Sequence, residues 1–186
     1  QRPLVLPNAW DAASARVIES AGAQAIATTS AAVSWTHGRR DGQTLRREEM
    51  MRVIQSIAGA VSVPVTADLE GGYGDVPETV RAVIAAGAAG INLEDSPGRD
   101  GEALLAPEQH AERIRAARAQ GDLVINARVD VYLLQVGEPS GRFDFLALAA
   151  LAATRRAALE LLGPGSYGAL AEGLPFGEVN GMFDSR

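Results

Sequence analysis

Two stretches of this chain share one design. Val17-Ile18-Glu19-Ser20-Ala21-Gly22-Ala23 and Val83-Ile84-Ala85-Ala86-Gly87-Ala88-Ala89 each read as a helix end, a glycine stop and a lead-in to an apolar strand. Glycine can take the left-handed conformation that ends a helix. Short apolar runs follow the same rhythm elsewhere. Strands are expected at Pro3–Pro7, Gln24–Thr29, Val63–Asp68, Ile91–Leu93 and Leu123–Ala127. Helices are expected at Ala12–Ser20 behind an Asp11 cap, at Arg46–Ala58, from Pro77 to Ala86, and from Pro107 to Ala119. Ser30-Ala31-Ala32 ends the second strand, and Thr36–Thr44 reads as a polar loop. Alternating strands and helices imply an α/β fold with a parallel sheet and right-handed crossovers. A (β/α) barrel fits these near-regular units better than a dinucleotide-binding fold. The first strand–helix turn, Asn8-Ala9-Trp10-Asp11, lacks the glycine fingerprint that receives a pyrophosphate.

The unusual polar residues follow strands. Val61–Val65 leads into Thr66-Ala67-Asp68-Leu69-Glu70-Gly71-Gly72-Tyr73-Gly74. If the strand continues, Asp68 and Glu70 lie on one side of it, with their repulsion calling for a hard cation. A solvated acidic turn is the other reading of these residues. Ser30, the pair Glu94 and Asp95, and the pair Arg128 and Asp130 also sit at strand ends. In a barrel such ends converge on the catalytic face. Three acidic ends and one basic end around one mouth point to a metal-assisted site for an anion.

Composition excludes several alternatives. Net charge is −6 with no basic cluster, against nucleic-acid binding. There is no cysteine, hence no thiolate metal site and no thiol nucleophile. No apolar run is long enough to span a membrane and no signal peptide is evident, so a soluble cytoplasmic protein is expected. His37 and His110 read as surface residues, and Trp10 as lining either a pocket or the core. Asp95 and Asp130 read as supporting partners, and the Arg pairs at 39–40, 46–47 and 155–156 as solvated faces or subunit contacts.

Pro7-Asn8-Ala9-Trp10-Asp11, Thr29-Ser30-Ala31, Asp68 to Gly74, Ile91-Asn92-Leu93-Glu94-Asp95 and Asn126-Ala127-Arg128 together resemble the isocitrate lyase / phosphoenolpyruvate mutase superfamily. The resemblance implies a (β/α)8 TIM-type barrel, Mg2+ or Mn2+, and 2-oxo acid or dicarboxylate substrates handled as enolates. It also implies a homotetramer or dimer that exchanges its last helix. By position, Asp68 would bind the metal directly, Glu70 and Glu94 would hold metal-bound waters, and Asp41 would support that shell. Ser30, with the backbone amides of Ser30 and Ala31, would bind the substrate carboxylate. Arg128 would stabilise charge on the carboxylate or enolate. Arg128, Asp41 and Glu94 are thus the expected catalytic set, Ser30, Ala31, Asp68 and Arg128 the substrate set, and Asp68, Glu70 and Glu94 the metal set.

The chain departs from the pattern in three places. Thr28 stands where mutases often carry an aromatic residue, and Ala31 where glycine is common. The loop Ser96-Pro97-Gly98-Arg99-Asp100-Gly101-Glu102 has neither the cysteine of the lyases nor the Lys and Asn of the mutases. These departures favour an Mg2+-dependent, cysteine-free C–C cleavage resembling oxaloacetate decarboxylation. Phosphoenolpyruvate mutase or phosphonopyruvate hydrolase chemistry is the alternative, and a barrel that binds 2-oxo acids without turnover is a third. An eight-unit barrel needs ~250 residues. Residues 1–186 therefore read as a single barrel domain whose sixth to eighth strands are missing at a gap near 144–145. Residues 151–186 would be the last barrel helix and C-terminal tail.

Overall fold

The computed structural model describes residues 4–96, 103–131, 133, 134 and 136. Five strands, β1 (Asn8–Ala9), β2 (Ile26–Thr28), β3 (Val65–Asp68), β4 (Gly90–Glu94) and β5 (Val124–Arg128), form one parallel sheet in the order β1-β2-β3-β4-β5. Each strand pairs with its neighbour in sequence. A doubly wound sheet would reverse direction near its first strand. The strands are joined through α1 (Ala12–Ser20), α2 (Ser30–Thr36), α3 (Arg47–Ala58), α4 (Val76–Ala85) and α5 (Pro107–Arg118). The expected loop of residues 96–102, the 144–145 junction and the segment 151–186 lie wholly or almost wholly outside the described residues.

Local chemistry sets these boundaries. Asp11 Oδ1 accepts the Ser14 N–H at 2.6 Å, and Asp75 Oδ1 accepts the Glu78 N–H at 2.7 Å, so α1 and α4 start on carboxylate caps. The two repeated glycine stops form as expected, with φ 94° at Gly22 and 92° at Gly87. The Ala23 and Ala88 amides return to the Ile18 and Val83 carbonyls.

Side chains alternate along the strands. Val65, Ala67, Ile91 and Leu93 face the helices and pack with Met50, Ile54, Val80, Val83 and Ile114 in a buried core. Each large aliphatic residue buried there contributes about 1.5–3 kcal/mol. The intervening residues, Thr66, Asp68, Asn92, Asn126 and Arg128, line the opposite, concave face.

Three expectations need correction. Residues 30–36 are helical. Thr29 caps them, and Ser30, Val33 and Ser34 bury one face, a pattern too short and polar to show as an amphipathic period. Of the strand expected at Pro3–Pro7, residues 4–7 are not a buried strand: pairing begins at Asn8, and Leu4 and Val5 are exposed. His110 is fully buried, because α5 turns it inward with Ala111, Ile114 and Ala117 despite its charged neighbours in sequence.

Candidate active site

A cavity of about 840 Å³ opens on the concave face of the sheet. At the carboxyl ends of the strands it is lined by Ser30, Ala31, Asp41, Asp68, Asn92 and Arg128. Of the expected residues, Glu70 and Glu94 lie behind this lining, both nearly buried.

Asp68 is the best-held group. Its Oδ2 accepts the Ser30 N–H at 3.1 Å and the Ser30 hydroxyl at 2.7 Å. Its Oδ1 accepts the Asn92 amide at 3.2 Å and the Glu70 N–H at 3.3 Å. Four donors thus meet a carboxylate with about four lone-pair sites. Ser30, expected on the substrate carboxylate, here directs both its donors at Asp68.

Asp68 and Glu70 do not face one another along a strand. β3 stops at Asp68 and Glu70 takes φ 49°, which swings its side chain away. Glu70 Oε1 accepts the Tyr73 hydroxyl at 2.9 Å, and Oε2 accepts the Gln43 N–H. Gln43 returns the contact, its Oε1 accepting the Tyr73 N–H at 2.8 Å. Burial pushes the Glu70 carboxyl up to about 6 against the pull of those hydrogen bonds, with the Asp41 and Asp68 charges adding to the rise. Gln43 and Tyr73 were missed in the sequence because neither carries a charge.

Glu94 ends β4 and stands opposite Arg128 at the end of β5. Arg128 Nη1 lies 2.5 Å from Glu94 Oε1, and its Nε donates to Asp130 Oδ1 at 2.7 Å. Asp130 N–H in turn donates to Asp95 Oδ1 at 2.9 Å, so Asp95 and Asp130 brace Arg128. Burial drives the Glu94 carboxyl up to about 8 even though Arg128 pulls it down. The Asp130, Asp68 and Glu70 charges push the same way as burial. Arg113 on α5, which drew no attention in the sequence, donates to the Glu94 carbonyl at 3.1 Å and to the Gly71 carbonyl.

Asp41 is exposed and borders the cavity. His37 is exposed and bonds its own helix through the Val33 carbonyl at 2.9 Å. Trp10, 41% exposed, lies on a different, smaller hollow with Thr36, His37 and Arg52.

Among the described residues, no three His, Cys, Asp or Glu side chains converge to bind one ion directly. The donor chemistry nonetheless fits a hard divalent cation. Three carboxylates, Asp68, Glu70 and Glu94, lie near the position, and Glu70 and Glu94 each feel the Asp68 charge. Mg2+ keeps several waters and needs only one or two carboxylates. The Ser30 hydroxyl, a side-chain donor, can rotate away from Asp68 to open a lone pair.

The phosphoenolpyruvate phosphomutase family model matches residues 1–158. The 2,3-dimethylmalate lyase of Eubacterium barkeri is 35% identical over 143 residues, 70% of this chain and 50% of that protein. A solved Burkholderia cenocepacia J2315 structure, provisionally called a phosphonomutase, is 43% identical with a TM-score of 0.76, covering 82% of this chain and 65% of that one. A phosphonopyruvate hydrolase solved with oxalate and Mg2+ gives 26% identity and a TM-score of 0.75, covering 81% and 56%. The chain spans about half the length of the curated relatives it matches. Among the described residues, no helix is long and apolar enough to cross a membrane. The five ordered parallel strands are those of a TIM-type barrel, and the chain belongs to the isocitrate lyase / phosphoenolpyruvate mutase superfamily, a family of lyases and phosphonomutases.

Proposed function

We propose that this chain carries the site of a metal-assisted lyase that breaks a C–C bond of a small 2-oxo acid by way of its enolate. The observation that carries the reading is the meeting, at one cavity mouth, of the Asp68 carboxylate and the braced Arg128 fork. Asp68, with Glu70 and Glu94 behind it through water, would hold Mg2+ or Mn2+, which supplies Lewis-acid polarisation of a chelating 2-oxo acid. Arg128 takes a substrate carboxylate or enolate oxygen in two-point fashion, which its planar fork suits. Ser30 and Ala31 border the same space and position the carboxylate once the Ser30 hydroxyl leaves Asp68. Asp41 borders the same cavity and would support the metal's water shell.

The 186 residues contain no cysteine, so no thiol among them can protonate a departing enolate. Decarboxylation is the C–C cleavage that asks least of a protein acid, since CO2 leaves without a proton. P–C chemistry is the second reading, favoured by the likeness to the phosphonopyruvate hydrolase solved with oxalate and Mg2+.

Purified chain with Mg2+ should release pyruvate from oxaloacetate and no phosphate from phosphonopyruvate. Phosphate release in place of decarboxylation would move the assignment to P–C chemistry. Mg2+-dependent oxalate binding with no turnover of any 2-oxo acid would make it a binding protein.

A further inference from the structure

Asn126 lies two residues before Arg128 on β5, and Asn92 two before Glu94 on β4. Both amides line the cavity one layer beneath the charged pair, and the sheet register sets them opposite one another. Asn126 Nδ2 donates to Asn92 Oδ1 at 2.5 Å, and Asn92 Nδ2 donates to Asp68 Oδ1 at 3.2 Å.

The direction of this relay is forced. Backbone N–H groups, which can only donate, contact both Asp68 oxygens: Ser30 N on Oδ2 and Glu70 N on Oδ1. Asp68 is therefore an acceptor on both sides, and Asn92 must meet it with its NH2. The Asn92 carbonyl then faces Asn126, which must answer with its own NH2. What remains at the end of the chain is the Asn126 carbonyl oxygen, which accepts from none of the described residues. Asn126 is exposed at the cavity wall.

We propose that Asn126 is a specificity-determining residue whose amide carbonyl accepts a hydroxyl of the substrate. The ligand would then be a hydroxyl-bearing 2-oxo acid. This rests on the reading of the cavity as a 2-oxo acid site and narrows it. An ionised phosphonate offers only acceptors and would meet the carbonyl unfavourably, whereas a hydroxyl donates. A site built to bond a hydroxyl discriminates strongly against the analogue lacking it.

The test is calorimetric binding of oxalate, pyruvate and 3-hydroxypyruvate to the chain in saturating Mg2+. The last two ligands differ by one hydroxyl. Wild type should bind 3-hydroxypyruvate about tenfold more tightly than pyruvate, the scale of one net hydrogen bond. Asn126→Ala should erase that preference, read as the ratio of the 3-hydroxypyruvate and pyruvate affinities, whatever shift it makes in common to all three ligands. Asn92→Ala should also reduce it, since Asn126 is then free to present either end of its amide. Equal affinity of the two ligands in wild type, with oxalate still bound, would overturn the inference alone. So would a preference that survives Asn126→Ala, or one that Asn92→Ala leaves at its full size. Failure of wild type to bind oxalate would overturn the 2-oxo acid reading and the inference with it.

Discussion

The Arg128 guanidinium meets the Glu94 carboxylate at 2.5 Å, at paired terminal positions of β5 and β4, while Asp130 takes its Nε at 2.7 Å. Arg128 is thus anchored before any substrate arrives, with its side chain about a third exposed toward the cavity. A lysine offers no planar fork and cannot reproduce both contacts together with a two-point grip on a ligand. Arg128→Lys is expected to weaken Mg2+-dependent oxalate binding by about 1–3 kcal/mol, the range of a charge-assisted hydrogen bond. Calorimetry in parallel with thermal melts checks this. Lower stability with unchanged oxalate affinity would leave Arg128 only as a brace for Asp130.

Asp68→Asn should abolish Mg2+ affinity on a scale of at least tenfold and leave the fold intact by circular dichroism. The amide removes the charge and also sets an NH2 against donors, since Ser30, Glu70 and Asn92 all point hydrogens at this position. One mismatched pair costs about 1–3 kcal/mol of stability. Unchanged Mg2+ affinity in titration would remove Asp68 from the metal site.

The outline of this site was legible because its parts sit at strand ends. Hydrophobic runs located β3, β4 and β5, and the charged residues at their carboxyl ends were the main candidates for a converging mouth. The geometry within the mouth was not legible. Period-two reasoning placed Glu70 beside Asp68, but it holds only while the chain stays extended, and Glu70 adopts φ 49°. Gln43 and Tyr73, which hold Glu70, come together only through the tertiary fold, 30 residues apart. Asn92 and Asn126 carried a usable signal, each two residues before an assigned charged residue. That signal identifies a shared face but no direction of hydrogen bonding. α2 escaped notice because a seven-residue helix has less than two full turns to show a period.

Gly72 separates two kinds of glycine cost. Its φ is 84°, and a Cβ there would meet Val76 Cγ2 at 2.9 Å, Leu93 Cδ1 at 3.1 Å and Arg113 Nη2 at 3.1 Å. Gly74, with φ 89°, has nothing within 4 Å of such a Cβ. Gly74→Ala should therefore cost only the backbone strain, about 1–2 kcal/mol. Gly72→Ala should cost visibly more, because Arg113 must yield and release the Gly71 and Glu94 carbonyls. Chemical denaturation of both variants checks the ranking. Equal losses would show that Arg113 shifts freely and does not hold the turn.

His110 makes the stability of the chain sensitive to acid. It is fully buried, and among the described residues neither ring nitrogen has a hydrogen-bond partner of good geometry, the Arg128 backbone offering only a weak contact. Burial, reinforced by the nearby Arg113 charge and only partly opposed by the Arg128 backbone, lowers its pKa from 6.5 to about 4. The unfolded chain therefore takes up a proton near pH 6.5, while the folded chain resists until about pH 4. Between those values the unfolded state binds more protons at this residue, so the His110 contribution to stability falls as pH drops through that window and levels off below it, while the raised Glu70 and Glu94 carboxyls act in the opposite sense. The full loss from this residue is about 3 kcal/mol, on 1.36 kcal/mol per unit. His110→Leu should flatten the decline between pH 6.5 and pH 4. At neutral pH it should leave stability unchanged or raised, since a buried group without partners is replaced by an apolar one. Urea denaturation at pH 7, 5.5 and 4.5 measures both effects. An acid limb as steep in the variant as in the parent would place the sensitivity elsewhere, in a carboxylate held below its ordinary pKa in the fold and not in Glu94 or Asp95, whose raised values act in the opposite sense.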